Sequence, residues 1–143
     1  LAAASSHDLV ILGTHGRRGA SRWWIGSVAE RVIRDGRVPT LVVRSEIAPT
    51  PGQQPFVRPV AVAGTESPGE VLGYAQALAA SFGGEVAEKS VSSLNDLECD
   101  PNATMMVVAT GWRQGAGWFG ETAEQLVRNC ALPMLFVPKQ DHQ

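Results

Sequence analysis

Three glycines and a serine at fixed intervals are the residues in this chain whose spacing could do chemistry. Gly13 and Gly16 are followed, after nine further residues, by Gly26 and Ser27, in the order G-x2-G-x9-G-S. The apolar run Leu9–Leu12 leads into them, and an amphipathic stretch leads away from Ser27. A glycine loop between a strand and a helix suits anion binding. Glycines let backbone N–H groups approach a phosphate, and a helix start offers unpaired N–H groups at the positive end of its dipole. Arg17, Arg18 and Arg22 add cationic side chains to the same loop. The spacing excludes two common phosphate loops, because G-x-x-x-x-G-K-[ST] and G-x-G-x-x-G are both absent.

The loop resembles the nucleotide-binding loop of the universal stress protein family. There, G-x2-G-x9-G-[ST] follows the fourth strand of a five-stranded α/β domain and cradles the ribose and phosphates of ATP. The resemblance continues without a gap through VAERVIRDGRVPTLVVR and covers residues 8–44. It implies an α/β fold with an open parallel-sheet, Rossmann-like (adenine nucleotide alpha hydrolase-like) architecture and helices on both faces. It implies ATP as ligand and Gly13, His15, Gly16, Arg17, Gly26, Ser27 and Val28 as the residues around it. Two roles stay open for Ser27, donating its hydroxyl to a phosphate or capping the helix. A lone histidine such as His15 makes no case for catalysis or a metal. Arg17 and Arg18 either pair with phosphates or are solvated. Trp23 and Trp24 replace aliphatic residues of the family and are expected to pack the loop or face a neighbouring domain rather than stack on a base.

The rest of the composition narrows the function. A net charge of −2 over 143 residues implies no general nucleic-acid or membrane-surface role. No apolar run is long enough to span a bilayer. The first residues, Leu1-Ala2-Ala3-Ala4, lack a basic region and a long apolar core, so they are read as the tail of a helix rather than a signal peptide. Cys99 and Cys130 have no metal-like spacing and are read as reduced, structural residues of a cytoplasmic protein. No activated nucleophile, carboxylate pair or metal cluster is visible, so neither catalytic nor metal-binding residues are assigned, and slow ATP hydrolysis is the most that is expected.

The elements that must position the loop follow from periodicity. Leu9–Leu12 reads as a buried parallel strand. Ser27 and Glu30 fit a capping box, with Val28, Val32 and Ile33 as the apolar face, Gly36 as C-cap and Pro39 as stop. Leu41–Val43 reads as the next strand. Residues 45–58, with three prolines, read as a linker. The pattern then restarts: a strand over Pro59–Ala63; a helix with Ser67 as N-cap, Pro68 at its first position and Glu70 at N3; a break at Gly83-Gly84; and a strand within Glu85–Val91. A strand over Met105–Ala109, a helix over Glu121–Asn129 and a strand over Pro133–Val137 complete the chain.

An internal repeat divides it. GSVAERVIRDGRVPTLVV (26–43) aligns without gaps on GETAEQLVRNCALPMLFV (120–137), and upstream VILGT falls on VVATG with two residues deleted in the loop. The expected organisation is the C-terminal part of one universal stress protein domain (1–44), a linker (45–58), and a second, shortened and degenerate domain (59–143) with a four-stranded sheet. Its site reads as eroded. Ala63-Gly64-Thr65 stands where the family has Asp-Gly-Ser, Ala109 replaces the first loop glycine, and Glu121 replaces Ser27, where a carboxylate would repel a phosphate.

The leading expectation is a cytoplasmic, ATP-binding regulatory protein of the stress response. The competing one, of a different class, is an interaction module that binds no nucleotide. An ATP-dependent transferase of related architecture is disfavoured by the lack of an adenylylation-type signature. The last strands of the two halves, Leu41–Val43 and Leu135–Val137, are short, apolar and terminal. They are expected to meet each other within the chain or to pair across a homodimer.

Overall fold

The computed structural model describes residues 8–14, 27–35, 37–44, 58–63, 68–90, 102–109 and 132–138. Six strands and two helices occur among them: β1 (Val10–Thr14), α1 (Ser27–Asp35), β2 (Thr40–Arg44), β3 (Pro59–Ala63), α2 (Pro68–Ser81), β4 (Ala87–Ser90), β5 (Met105–Ala109) and β6 (Met134–Val137). The strands form one sheet in the order β1-β2-β6-β5-β3-β4. Four of its junctions are parallel, and β2–β6 is antiparallel. The expected linker, apart from Arg58, the expected helix 121–129 and the C-cap Gly36 lie outside the described residues.

β2, β3, β5 and β6 are largely apolar runs that a sheet covered on both faces can bury, whereas β4, Ala-Glu-Lys-Ser, is a polar edge strand. Right-handed crossovers fix where the helices go. The β1–α1–β2 and β3–α2–β4 units step across the sheet in the same direction, but their strands run oppositely. Their helices therefore lie on opposite faces. On the α2 face, Val71 and Ala75 pack with Leu41, Met105, Val107, Leu135 and Val137, while Val42, Met106, Val108, Met134 and Phe136, at the alternate positions, are buried as well.

The helices start and stop for local reasons. Proline at the first helical position costs α2 no hydrogen bond, since that N–H has no partner inside a helix. Beyond Ser81 the chain closes a Schellman motif. Gly84 N–H donates to Ala79 O at 2.8 Å and Gly83 N–H to Ala80 O at 3.4 Å. Gly83 has φ of +70°, which a residue without Cβ adopts at no steric cost. Val71, Ala75 and Ala79, at intervals of four, are the buried stripe of α2, while Phe82 lies past its end and is exposed.

In α1 the buried pair is Ala29 and Ile33, one helical turn apart. Val32 is half-buried, but Val28, expected on the inner face, is 75% exposed. The i, i+4 spacing of Ala29 and Ile33 sets the face, and Val28 falls one residue off it. Arg31 and Asp35 form an exposed i, i+4 ion pair at 3.8 Å.

Two hydrogen bonds refine the repeat. Val10 N–H donates to Pro39 O at 2.9 Å, and Met106 N–H donates to Pro133 O at 3.0 Å. Pro39 and Pro133 are the same repeat position, so Val10 corresponds to Met106. The ladders agree, pairing Val10 with Thr40 and Met106 with Met134. The strand alignment is thus one residue earlier than VILGT on VVATG. A one-residue slip would turn every side chain to the opposite face of the sheet.

Candidate functional site

The site is built on the β1–α1 junction. β1 is longer than the Leu9–Leu12 run, because its ladder with β2 continues through Gly13, opposite Val43, and Thr14, opposite Arg44. The turn therefore begins after Thr14, and Gly13 sits in extended strand at its carboxyl end. A Cβ built on Gly13 meets nothing within 4 Å, and its φ is outside the left-handed region. Neither backbone conformation nor packing among the described residues requires a glycine there.

Ser27 is the first residue of α1, and Val28 exposes its side chain in the first turn. The structure thus brings Gly13, Ser27 and Val28 to one edge of the β1–β2 pair, the carboxyl edge. There α/β sheets take their ligands, and the N–H groups of a helix start face outward. His15, Gly16, Arg17 and Gly26, with Arg18, Arg22, Trp23 and Trp24, lie outside the described residues. Glu30 adds a carboxylate in the first turn of α1, favourable to the helix dipole.

In the second half the corresponding edge is formed by β3 and β5. The chain leaves β3 to one side for β4 and returns on the other as β5, which makes their carboxyl ends the reversal point of strand order. Ala109, the counterpart of Gly13, ends β5 opposite Val137. At the amino end, Thr104 N–H donates to Arg58 O at 3.0 Å, and Arg58 N–H donates to Thr104 Oγ1 at 2.9 Å. This clasp aligns β3 with β5. Sequence patterning did not find it, because a threonine before a strand has no distinctive signal.

Parallel βα units in one sheet, with a glycine loop at a strand's carboxyl end, define an α/β protein of the Rossmann-like class. The profile of the universal stress protein family matches residues 1–44. A universal stress protein of Methanocaldococcus jannaschii is 51% identical over 37 residues, which are 26% of this chain and 22% of that protein. Among solved structures, a universal stress protein from Archaeoglobus fulgidus superposes with a TM-score of 0.74 at 17% identity. A protein of unknown function from Pseudomonas aeruginosa superposes at 0.61 with 12% identity. The superpositions cover 97% and 96% of this chain, and 65% of each neighbour's length. At these identities the likeness is one of fold.

Proposed function

We propose that the chain is part of an ATP-binding regulatory protein of the stress response. One observation carries this reading: a G-x2-G-x9-G-S loop that leaves the carboxyl end of β1 and returns at the first residue of α1. Gly13 supports it, being a glycine that nothing in its described surroundings demands. In this reading the loop N–H groups and the start of α1 hold the phosphates. Ser27 donates to them or caps the helix, Arg17 neutralises charge, and His15 lines the nucleotide. The protein acts in the cytoplasm; among the described residues no helix is long and apolar enough to cross a membrane. The second half binds no nucleotide, since Ala109 and Glu121 replace the residues that would admit a phosphate.

The test is a thermal melt with and without ATP. A ligand that binds only the folded state raises its melting temperature. ATP should raise that of the whole polypeptide as encoded, and the Gly26→Asp/Ser27→Glu double variant of that polypeptide should show no shift. An equal shift in both would place the nucleotide elsewhere.

A second reading is an interaction module that binds no nucleotide. It is favoured by the outer edge of β1, which pairs with no strand among the described residues. No shift with ATP in the whole polypeptide would select it.

A further inference from the structure

The internal repeat sets two carboxyl edges side by side for comparison, and the ladders fix which residues correspond. Gly13 pairs with Val43 as Ala109 pairs with Val137. One step further, Thr14 and Arg44 correspond to Thr110 and Pro138. The β1–β2 ladder takes that step, ending at Thr14 opposite Arg44. Among the described residues the β5–β6 ladder stops one step short, at Ala109 opposite Val137. A proline at 138 has no N–H with which to extend it.

Three positions of this edge differ between the halves. Gly13, Ser27 and Arg44 in the first stand as Ala109, Glu121 and Pro138 in the second, while Thr14 stays threonine as Thr110. Gly13 and Ser27 are the positions on which nucleotide binding was assigned to the first half and denied to the second. Arg44 divides the halves in the same way. A bare backbone, a hydroxyl and a guanidinium suit a phosphate; a methyl group, a carboxylate and a pyrrolidine ring do not.

Arg44 is also placed at that edge by the sheet. The β2–β6 ladder ends at Val42, so Thr14 is the described strand neighbour of Arg44. Adjacent strands lie about 4.8 Å apart. Leu41 and Val43 belong to the cluster under α2, so alternation gives Arg44 a position on the opposite face, the face of α1. α1 begins at this edge with Ser27. A ladder position is held more firmly than a loop position. The residue type fits as well, because the planar fork of arginine matches two phosphate oxygens where lysine offers a point charge.

Given the nucleotide reading of the G-x2-G-x9-G-S loop, on which this step rests, we propose that Arg44 binds the terminal phosphates of the nucleotide. It thereby makes the site selective for nucleoside triphosphates over monophosphates. A ligand seated at a reversal of strand order lays its phosphates on the helix start. β1 is one wall of that crevice, and β2 lies beyond β1. The part of the ligand that passes the start of α1 toward β2 is the far end of the phosphate tail. A monophosphate ends before it.

The test uses the polypeptide as encoded, as native protein, Arg44→Gln and Arg44→Lys, with calorimetry for ATP and for AMP. In Arg44→Gln the affinity for ATP should fall about tenfold or more, and that for AMP less than about twofold. Arg44→Lys keeps the charge and loses the fork, so its affinity for ATP should fall in between. The urea midpoints of both variants should match that of the native protein. Equal losses for ATP and AMP would overturn the proposal, and so would an unchanged affinity for ATP in Arg44→Gln. A lowered urea midpoint with unchanged affinity would assign Arg44 to a carboxylate such as Glu30 or Glu46 instead. Native protein that binds neither nucleotide would overturn the nucleotide reading and this role together. Native protein that binds ATP, beside an Arg44→Gln variant that binds it equally well, would overturn the role of Arg44 alone.

Discussion

Leu41 pairs with Leu135 across the antiparallel junction, and the two are the same residue of the internal repeat. Both are buried in the cluster under α2. The junction is thus symmetric in register, and at its centre in residue type and burial as well.

Truncating either leucine should be costly and coupled. Leu41→Ala and Leu135→Ala should each lose about 2–5 kcal/mol, the usual range for a buried leucine. The double variant should lose less than the sum, because each single change already opens the shared space. Urea denaturation of the four proteins checks this; strict additivity would mean that the two side chains do not share a cavity.

Gly13→Ala separates fold from ligand. A Cβ there meets open space, so stability should stay within about 0.5 kcal/mol of the native value. ATP binding, measured by calorimetry on the longest available chain, should weaken. A large loss of stability would assign Gly13 a structural role instead.

Residues 1–143 by themselves should bind ATP weakly. Crevices in doubly wound sheets lie between two strands at a reversal of order, and β1 offers one wall of such a crevice. Micromolar affinity by calorimetry would show that one wall is enough.

In α1, Ile33→Ala should cost about 2–4 kcal/mol and Val28→Ala less than about 0.5 kcal/mol, since the first is buried and the second exposed. In the α2 cap, Gly83→Ala should cost about 1–2 kcal/mol, because alanine resists the left-handed conformation that Gly83 holds. Denaturant midpoints of the three variants suffice for both.

Long apolar runs and strong punctuation made most elements legible. Pro59–Ala63 and Met105–Ala109 fall where periodicity put them, and Pro68 and Gly83 bracket α2 as their backbone limits require. Ends and faces were less legible. The strand at Leu9–Leu12 extends to Thr14 because its partner β2 reaches Arg44, a tertiary fact with no local sequence signal. Val28 looked like core because valine is apolar, but Ala29 and Ile33 hold the inner face. At the candidate site, spacing singled out Gly13 and Ser27, which lie at the end of β1 and the start of α1 on the carboxyl edge of the β1–β2 pair. The exposure of Ile11 was not legible, since a strand reads the same whether or not a helix covers it.

The antiparallel junction also gives the sheet two poles. The carboxyl ends of β1 and β2 point to one, and those of β3, β4, β5 and β6 to the other. The helix starts that follow β1 and β3 consequently face away from each other, and their dipoles oppose. A molecule bound at the β1 pole could not reach the β3 pole. Among the described residues the two halves meet along the β2–β6 ladder and in the side-chain cluster under α2, with Leu41 and Leu135 in both.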